Sequence, residues 1–123
     1  MEKKKILIVE DEGIIALDIK KGLESLGYLV SGIIDSGEKA IEEVKRIKPD
    51  LILMDIVLKG RINGMDASIS IGKFLDIPVI YITSLFDQNY KDQCNCLKLK
   101  YDFLIKPFNP EDLRTKVEQA LYQ

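Results

Sequence analysis

The 123 residues of the chain are expected to form one domain, 1–123, because they can bury a sizeable core but are too few for two ordinary domains. Apolar residues make up 46% and charged residues 31% of the chain, a globular balance that excludes a long disordered segment. The net charge of -2 disfavours direct nucleic acid binding, which normally requires a face rich in Lys and Arg.

Five short β-branched runs alternate with five helical patterns along the chain. Each run is apolar enough to be covered on both faces of a sheet. The runs that predict strands lie at 5–9, 29–34, 50–54, 78–83 and 101–105. The patterns that predict helices lie at about 12–26, from the N-cap Ser36 to Lys48, at about 65–75 and 87–98, and from Pro110 onward.

Apolar residues at helical spacing predict the buried faces of three of these helices. They are Ile15, Leu23 and Leu26 in the first helix, Ala40, Ile41, Val44 and Ile47 in the second, and Leu113, Val117, Ala120 and Leu121 in the last. The alternation of strand and helix, without a linker or a repeat, predicts a parallel sheet with helices on both faces. Such sheets bind ligands at the carboxyl ends of their strands.

Polar residues follow four of the five predicted strands. They are Glu10, Asp11 and Glu12 after the first strand, Asp55 after the third, Thr83 and Ser84 at the end of the fourth, and Lys106 and Pro107 after the fifth. Taken singly, the first three acids could cap a helix, Thr83 could be an ordinary β-former, and Lys106 could be a solvated charge. Asp55 is harder to explain this way, because a carboxylate directly behind LILM should be partly desolvated.

Charge repulsion connects these residues to one chemistry. Glu10, Asp11 and Asp55 would repel each other at one edge unless a cation neutralised them. Mg²⁺ is a hard ion that takes carboxylate oxygens and waters, and Lys106 supplies a second positive charge. A carboxylate between two cations is a good nucleophile for phosphorus, and Thr83 could donate to a phosphoryl oxygen. The set therefore predicts an aspartyl phosphate.

These residues resemble the receiver domain of the two-component response regulators of bacteria and archaea. ILIVEDE is similar to the acidic opening of that family, LILMDIVLKG to its phosphoacceptor strand, IPVIYITS to its threonine strand and FLIKPF to its lysine-proline strand. Four motifs in the right order and at the right spacing are highly specific. The resemblance covers essentially the whole chain and implies a doubly wound α/β fold, with five parallel strands in the flavodoxin-like order 2-1-3-4-5.

The resemblance also implies a role for each matching residue. Asp55 would be the phosphoacceptor, and Asp11, Asp55 and the backbone carbonyl of Val57 would ligate Mg²⁺. Glu10, at a position that is more often aspartate, would act through water or position the metal. Thr83 would move toward the phosphoryl group.

Two further features follow from the same resemblance. Phe103 matches the rotating aromatic switch of the family, with Lys106 aimed by a cis bond to Pro107. A sensor histidine kinase or histidine phosphotransfer protein would be the donor, with the receiver catalysing both transfer and later hydrolysis. The surface of the fourth helix, fifth strand and fifth helix would then change and signal to an effector protein or output domain, and the same surface is a candidate for homodimer formation on activation.

The sequence departs from the common pattern at three places. The loop after Asp55, IVLKGRINGMD, is one residue longer than the commonest form. Leu99 and Lys100 replace a usual Gly-Ala pair, which alters the expected shape of the signalling face. Phe103 replaces the more frequent tyrosine and so loses a hydroxyl while keeping a ring that can be buried.

Rival readings are a receiver-like interaction domain that is never phosphorylated, and a Mg²⁺-dependent phosphohydrolase with an aspartate nucleophile. The first predicts the loss of an acid, the threonine or the lysine, and the second needs an acid where Val57 stands. A flavin or dinucleotide site is rejected, because VEDEG would present carboxylates to a phosphate. The chain could be a stand-alone receiver or a piece of a longer regulator or hybrid kinase.

Other residues narrow the location and chemistry. Only four apolar residues follow MEKKK, so neither secretion nor a membrane span is expected. The expected location is therefore cytoplasmic. The absence of histidine removes Ser-His-Asp and Cys-His catalysis. Cys94 and Cys96 stand too close together for an unstrained disulfide and are expected to be reduced thiols.

Overall fold

The computed structural model describes residues 2–84, 88–94 and 100–122, and these form alternating strands and helices. The strands are β1 (Lys5–Val9), β2 (Leu29–Ile34), β3 (Leu51–Asp55), β4 (Val79–Thr83) and β5 (Tyr101–Ile105). The helices are α1 (Gly13–Ser25), α2 (Gly37–Ile47), α3 (Gly64–Ile71), α4 (Gln88–Cys94) and α5 (Pro110–Tyr122).

The five strands form one parallel sheet in the order β2-β1-β3-β4-β5, which confirms the predicted architecture and strand order. Side chains of α2, α3 and α4 pack with one face of the sheet, and those of α1 and α5 pack with the other. The two apolar layers cover both faces of the central strands, and β3 and β4 are buried along their whole length. The carboxyl ends of these strands are therefore fixed in position.

Two predictions about burial are wrong. The strands β2 and β5 are not covered on both faces, because they are the edges of the sheet; Leu29 and Ile33 of β2 are 47% and 40% exposed. On α1, Leu23 is buried and Ile15 packs partly buried against the same core, as predicted, but Leu26 lies exposed just beyond the end of the helix; Ala16 and Ile19 complete the buried face.

Most predicted element bounds are close to the observed ones. Strand β3 ends at Asp55 itself, and α3 ends four residues earlier than predicted, at Ile71. The predicted helix over 87–98 is described over Gln88–Cys94, where Cys94 is a buried free thiol whose pKa burial raises to about 11. Cys96 and Leu99 lie outside the described residues.

Within the described ranges, no helix combines the length and apolarity that crossing a membrane requires.

Local signals explain where the helices next to the strand ends begin and stop. Ser36 is the predicted N-cap of α2 and accepts a hydrogen bond from the Lys39 N–H at 3.2 Å. Helix α3 begins with a reciprocal capping box between Asn63 and Asp66. Lys48 ends α2 in a left-handed conformation, with φ of 50°.

Gly64, the first residue of α3, lies against the end of β3. Its N–H donates to the Ile56 carbonyl at 2.8 Å, and a Cβ added to it would stand 2.2 Å from the Asp55 carbonyl oxygen. A methyl group cannot fit there unless the backbone moves. The glycine thus allows α3 to start directly beside Asp55.

We expect Gly64→Ala to lower the free energy of unfolding by about 1–3 kcal/mol, since overpacking here must displace backbone rather than a side-chain end. Urea unfolding followed by circular dichroism measures this change. Gly13→Ala is the matched control, because Gly13 begins α1 and a Cβ there would meet nothing within 4 Å. Equal unfolding midpoints for the two variants would contradict the prediction.

Candidate functional site

The carboxyl ends of β1, β3, β4 and β5 meet at a cleft of about 410 Å³. Glu10 follows β1, Asp55 and Thr83 are the last residues of β3 and β4, and Lys106 follows β5. Each strand therefore delivers one polar group to the same edge of the sheet. The residues that line the cleft are Asp11, Glu12, Asp55, Val57, Lys59, Thr83, Ser84 and Lys106.

Lys106 joins two of the acids. Its Nζ lies 2.8 Å from Glu10 Oε1 and 3.2 Å from Asp55 Oδ2. The lysine side chain is 17% exposed, and those of Glu10 and Asp55 are 1% and 8% exposed, so all three charges are largely removed from water. The peptide bond between Lys106 and Pro107 is cis, as the family resemblance implies.

The pKa values of this group are shifted by burial and by the neighbouring charges. Burial and the adjacent Asp55 carboxylate raise the pKa of Glu10, although Lys106 opposes this. Burial alone would lower the pKa of Lys106, but its hydrogen bond to Glu10 and the negative charge of Asp55 outweigh burial and raise it. The ammonium is therefore held charged, while the acids remain crowded.

The acids also fit a divalent metal ion. One carboxylate oxygen from each of Glu10, Asp11 and Asp55 lies within 4.8 Å of the others. Such a set of hard oxygen donors is what Mg²⁺ prefers, with water completing its coordination. Val57 lines the same cleft, and its N–H donates to Asp55 Oδ1 at 3.2 Å.

Thr83 lies in the cleft, whereas Phe103 lies on β5 among aromatic side chains. Thr83 is buried and lines the cleft. Phe103 is half-buried on β5, where it pairs across the sheet with Tyr81 of β4. Its ring centroid lies 5.5 Å from that of Tyr81 and 6.0 Å from that of Tyr101. The structure thus brings six of the seven predicted residues to the cleft and its acidic cluster and leaves Phe103 on the neighbouring strand, two positions before Ile105.

Sequence reasoning missed the backbone of the loop between β3 and α3. The Lys59 N–H donates to Asp11 Oδ2 at 3.0 Å, and Ser36, ahead of α2, forms an isolated parallel bridge with Lys59. A main-chain donor can be supplied by almost any residue type, so LKGRI contains no signal for this contact. Gly60 is visible in the loop sequence, but the sequence does not show that its missing side chain leaves room for Glu38.

A family model for the response regulator receiver domain matches residues 6–118. The chain belongs to this family. The resemblance inferred from the sequence motifs is thereby confirmed. As a receiver domain, it is a component of two-component signal transduction.

Named relatives show how far the similarity extends. The receiver domain is 33% identical to the chemotaxis protein CheY of Thermotoga maritima, over 96% of this chain and 94% of that protein. It is 32% identical to the probable transcriptional regulator ycf27 of Porphyridium aerugineum, over 98% of this chain and 49% of the relative. The chain spans about half the length of the first curated relatives that it matches.

A solved structure gives the same assignment. The signal receiver domain of a modulated diguanylate cyclase from Desulfovibrio desulfuricans G20 superposes with a TM-score of 0.88 at 31% identity. The match covers 98% of this chain and 95% of that one. The close agreement over the full described fold supports the family assignment independently of the motifs.

Removing Lys106 should cost far more stability than removing an exposed lysine. We expect Lys106→Ala to lower the free energy of unfolding by about 3 kcal/mol at pH 8, because two buried carboxylates lose their partner. Lys39→Ala is the control, because the side chains of its pair with Asp35 are 64% and 62% exposed and an exposed pair contributes little to stability. Chemical denaturation at pH 8 measures both.

The sign of the pH dependence follows from the raised pKa of Lys106. Its stabilising contribution is complete below the unfolded value of 10.5 and is lost as the pH rises through the folded value. The difference in free energy of unfolding between the parent and Lys106→Ala should accordingly become smaller above about pH 10.5. A difference that is small at pH 8, or that widens at high pH, would refute this assignment of the buried charge.

Proposed function

We propose that this receiver domain accepts a phosphoryl group on Asp55 from a histidine kinase or a histidine phosphotransfer protein and acts as a phosphorylation-controlled switch. The observation that carries the proposal is the position of the Asp55 carboxylate. It stands in an open cleft with Lys106 Nζ at 3.2 Å, two further acids beside it and Thr83 on the adjacent strand. A carboxylate held against a permanent cation in a partly dry site is suited to attack on phosphorus.

The transfer exchanges one bond for another. An Asp55 oxygen forms a bond to phosphorus as the bond between phosphorus and the donor's imidazole nitrogen breaks. The nitrogen leaves with the electron pair of that bond and takes a proton from water. Lys106 offsets the charge of the incoming group, and the Thr83 hydroxyl donates to a phosphoryl oxygen. Later attack of water on phosphorus would release phosphate and restore the carboxylate.

Mg²⁺ is the proposed cofactor. Glu10, Asp11, Asp55 and the Val57 carbonyl would hold it, with Glu10 acting through water or by positioning the other acids. When bound, the ion supplies positive charge to the phosphoryl oxygens. Without it, three carboxylates face one ammonium, so the cleft is too negative to receive an anionic donor efficiently.

The switch proposed for this domain connects Asp55 to the far side of β4. A phosphoryl group would draw Thr83 toward it, and Phe103, half-buried beside Tyr81, would turn inward. The surface of α4, β5 and α5 would change shape and charge and be recognised by an effector protein or an output domain. No direct contact with nucleic acid is proposed, in keeping with the net charge of -2.

The phosphodonor needs a surface next to the cleft. An apolar groove of about 480 Å³ lies between α1 and the segment after β5, and Lys106 lines both this groove and the cleft. Its wall includes Ile14 and Leu17, which are 86% and 53% exposed. An exposed apolar wall that continues into the site suits a protein donor better than a small phosphoester.

The alternatives fit the site less well. An interaction domain that is never phosphorylated would have no need to retain the acids, Thr83 and Lys106 in one cleft. A phosphohydrolase of the aspartate-nucleophile class needs an acid at Val57, whose side chain is apolar and 69% exposed. Phosphotransfer to Asp55 therefore remains the function best supported by the geometry.

Incubation with acetyl phosphate and Mg²⁺, followed by intact-protein mass spectrometry, tests the proposal. The parent should gain one phosphoryl group, and the gain should disappear in Asp55→Asn or when the metal is chelated. Asp76→Asn, which changes an exposed carboxylate away from the cleft, should be phosphorylated like the parent. A parent protein that gains no phosphoryl group would favour the interaction-domain alternative.

We also propose that activation leads to a homodimer formed through the surface that includes β5. Tyr101 and Ile105 of β5 are 39% and 51% exposed, and β5 is an edge strand. Light scattering with and without beryllium fluoride, which mimics the phosphoryl group, should show a doubled mass for the parent with Mg²⁺ and no change for Asp55→Asn. Identical masses for the parent in both conditions would exclude dimerisation by this route.

A further inference from the structure

The loop between β3 and α3, residues 56–63, is held by a side chain from a different part of the chain. Glu38 lies in the first turn of α2. Its Oε1 accepts hydrogen bonds from the N–H groups of Arg61, at 3.1 Å, and Ile62, at 3.0 Å. One carboxylate oxygen thus satisfies two main-chain donors that no helix or strand would satisfy.

The loop lies directly on this carboxylate. Gly60 has φ of +103°, and a Cβ added to it would stand 2.3 Å from Glu38 Oε2. Beside it, a Cβ on Gly37 would stand 3.0 Å from Ile62 Cγ1. The missing side chains of Gly60 in the loop and Gly37 in α2 therefore leave room for Glu38 and Ile62, and the loop and the first turn of α2 can approach closely.

The same loop reaches the acidic cluster at its other end. The Lys59 N–H donates to Asp11 Oδ2 at 3.0 Å, and the Val57 N–H donates to Asp55 Oδ1 at 3.2 Å. In the chain, only Gly60 separates Lys59 from Arg61, the first residue that Glu38 binds. The loop therefore links Glu38, which lies outside the cleft, to two of the acids of the cluster.

An acid in the first turn of a helix has a simpler explanation, because it is favoured there by the helix dipole. That explanation accounts for a carboxylate at Glu38, but it requires neither the two hydrogen bonds from the loop nor the space left by Gly60. It also predicts no effect on the cleft. The two explanations differ in a measurable quantity.

We propose that Glu38 is a positioning residue that sets the Mg²⁺ affinity of the receiver without touching the metal site. The inference rests on the proposed function, since it takes Asp11 and Asp55 as metal ligands. Residues that orient the ligands of a metal contribute to its affinity because they reduce the ordering that binding requires. Here the orienting contact passes through the loop backbone instead of a ligand side chain.

Titration calorimetry with Mg²⁺ on the unphosphorylated protein tests the proposal. Glu38→Ala should raise the Kd for Mg²⁺ about tenfold, at the lower end of the range for residues that support ligands. Glu38→Gln should stay within about twofold of the parent, because its amide oxygen can still accept both N–H groups. Glu42→Ala, which removes an exposed acid from the same helix, should bind Mg²⁺ like the parent.

Amide hydrogen exchange followed by NMR without metal gives an independent readout. In Glu38→Ala the N–H groups of Arg61 and Ile62 should lose protection, and that of Lys59 should lose it too, because the loop moves as a unit. If Lys59 keeps its protection and the Kd for Mg²⁺ stays within twofold of the parent, the contact is local and the inference is overturned. A parent that binds no Mg²⁺ would instead reject the proposed metal site together with this inference.

A double-mutant cycle approaches the contact from the loop. Gly60→Ala should also raise the Kd for Mg²⁺, since its Cβ would displace the loop from Glu38. In the Glu38→Ala background the same substitution should raise the Kd by a smaller factor, because the carboxylate it collides with is gone. Equal factors in the two backgrounds would mean that Gly60 and Glu38 act independently, contrary to the proposal.

Discussion

The crowding of negative charge at one edge of the sheet is the constraint on which the site depends. Two unit charges about 4 Å apart repel by about 4 kcal/mol near a protein surface, and Glu10, Asp11 and Asp55 all bring an oxygen within 4.8 Å of the others. Lys106 compensates for part of this charge, while burial, followed by the neighbouring Asp55 carboxylate, raises the pKa of Glu10. The fold therefore holds ready a site that a further cation would complete.

The apolar layers of the sheet supply the energy that keeps the charges together. Strands β3 and β4 are buried throughout and are paired on both sides, so Asp55 and Thr83 cannot withdraw from the cleft without disturbing the core. The loop after β3 has no such support. Its N–H groups at Lys59, Arg61 and Ile62 donate to Asp11 and Glu38, and Lys59 forms only an isolated bridge with Ser36. Side-chain acceptors therefore contribute to the position of the loop where continuous strand pairing is lacking.

This division also explains what could be predicted from the sequence. A polar residue directly after an apolar run is expected at the carboxyl end of a strand, so the positions of Asp55 and Lys106 follow from the pattern. The exposure of β2 did not follow, because an apolar run does not reveal whether its strand lies at an edge. Nor did the contact between Glu38 and Arg61, since a side chain that binds main-chain N–H groups 23 residues away requires no particular residue type in the loop.

The position of the aromatic pair shows how a charge at Asp55 could be felt beyond the cleft. Phosphorylation would replace one negative charge by about two, and Lys106 and the Thr83 hydroxyl, which line the same cleft, would be donors to the new group. Thr83 ends the same strand that carries Tyr81, and Tyr81 is the cross-strand partner of Phe103. Since β4 is buried along its length and β5 is an edge strand on which Phe103 is half-buried, a pull on Thr83 would meet less packing resistance on β5 than within β4.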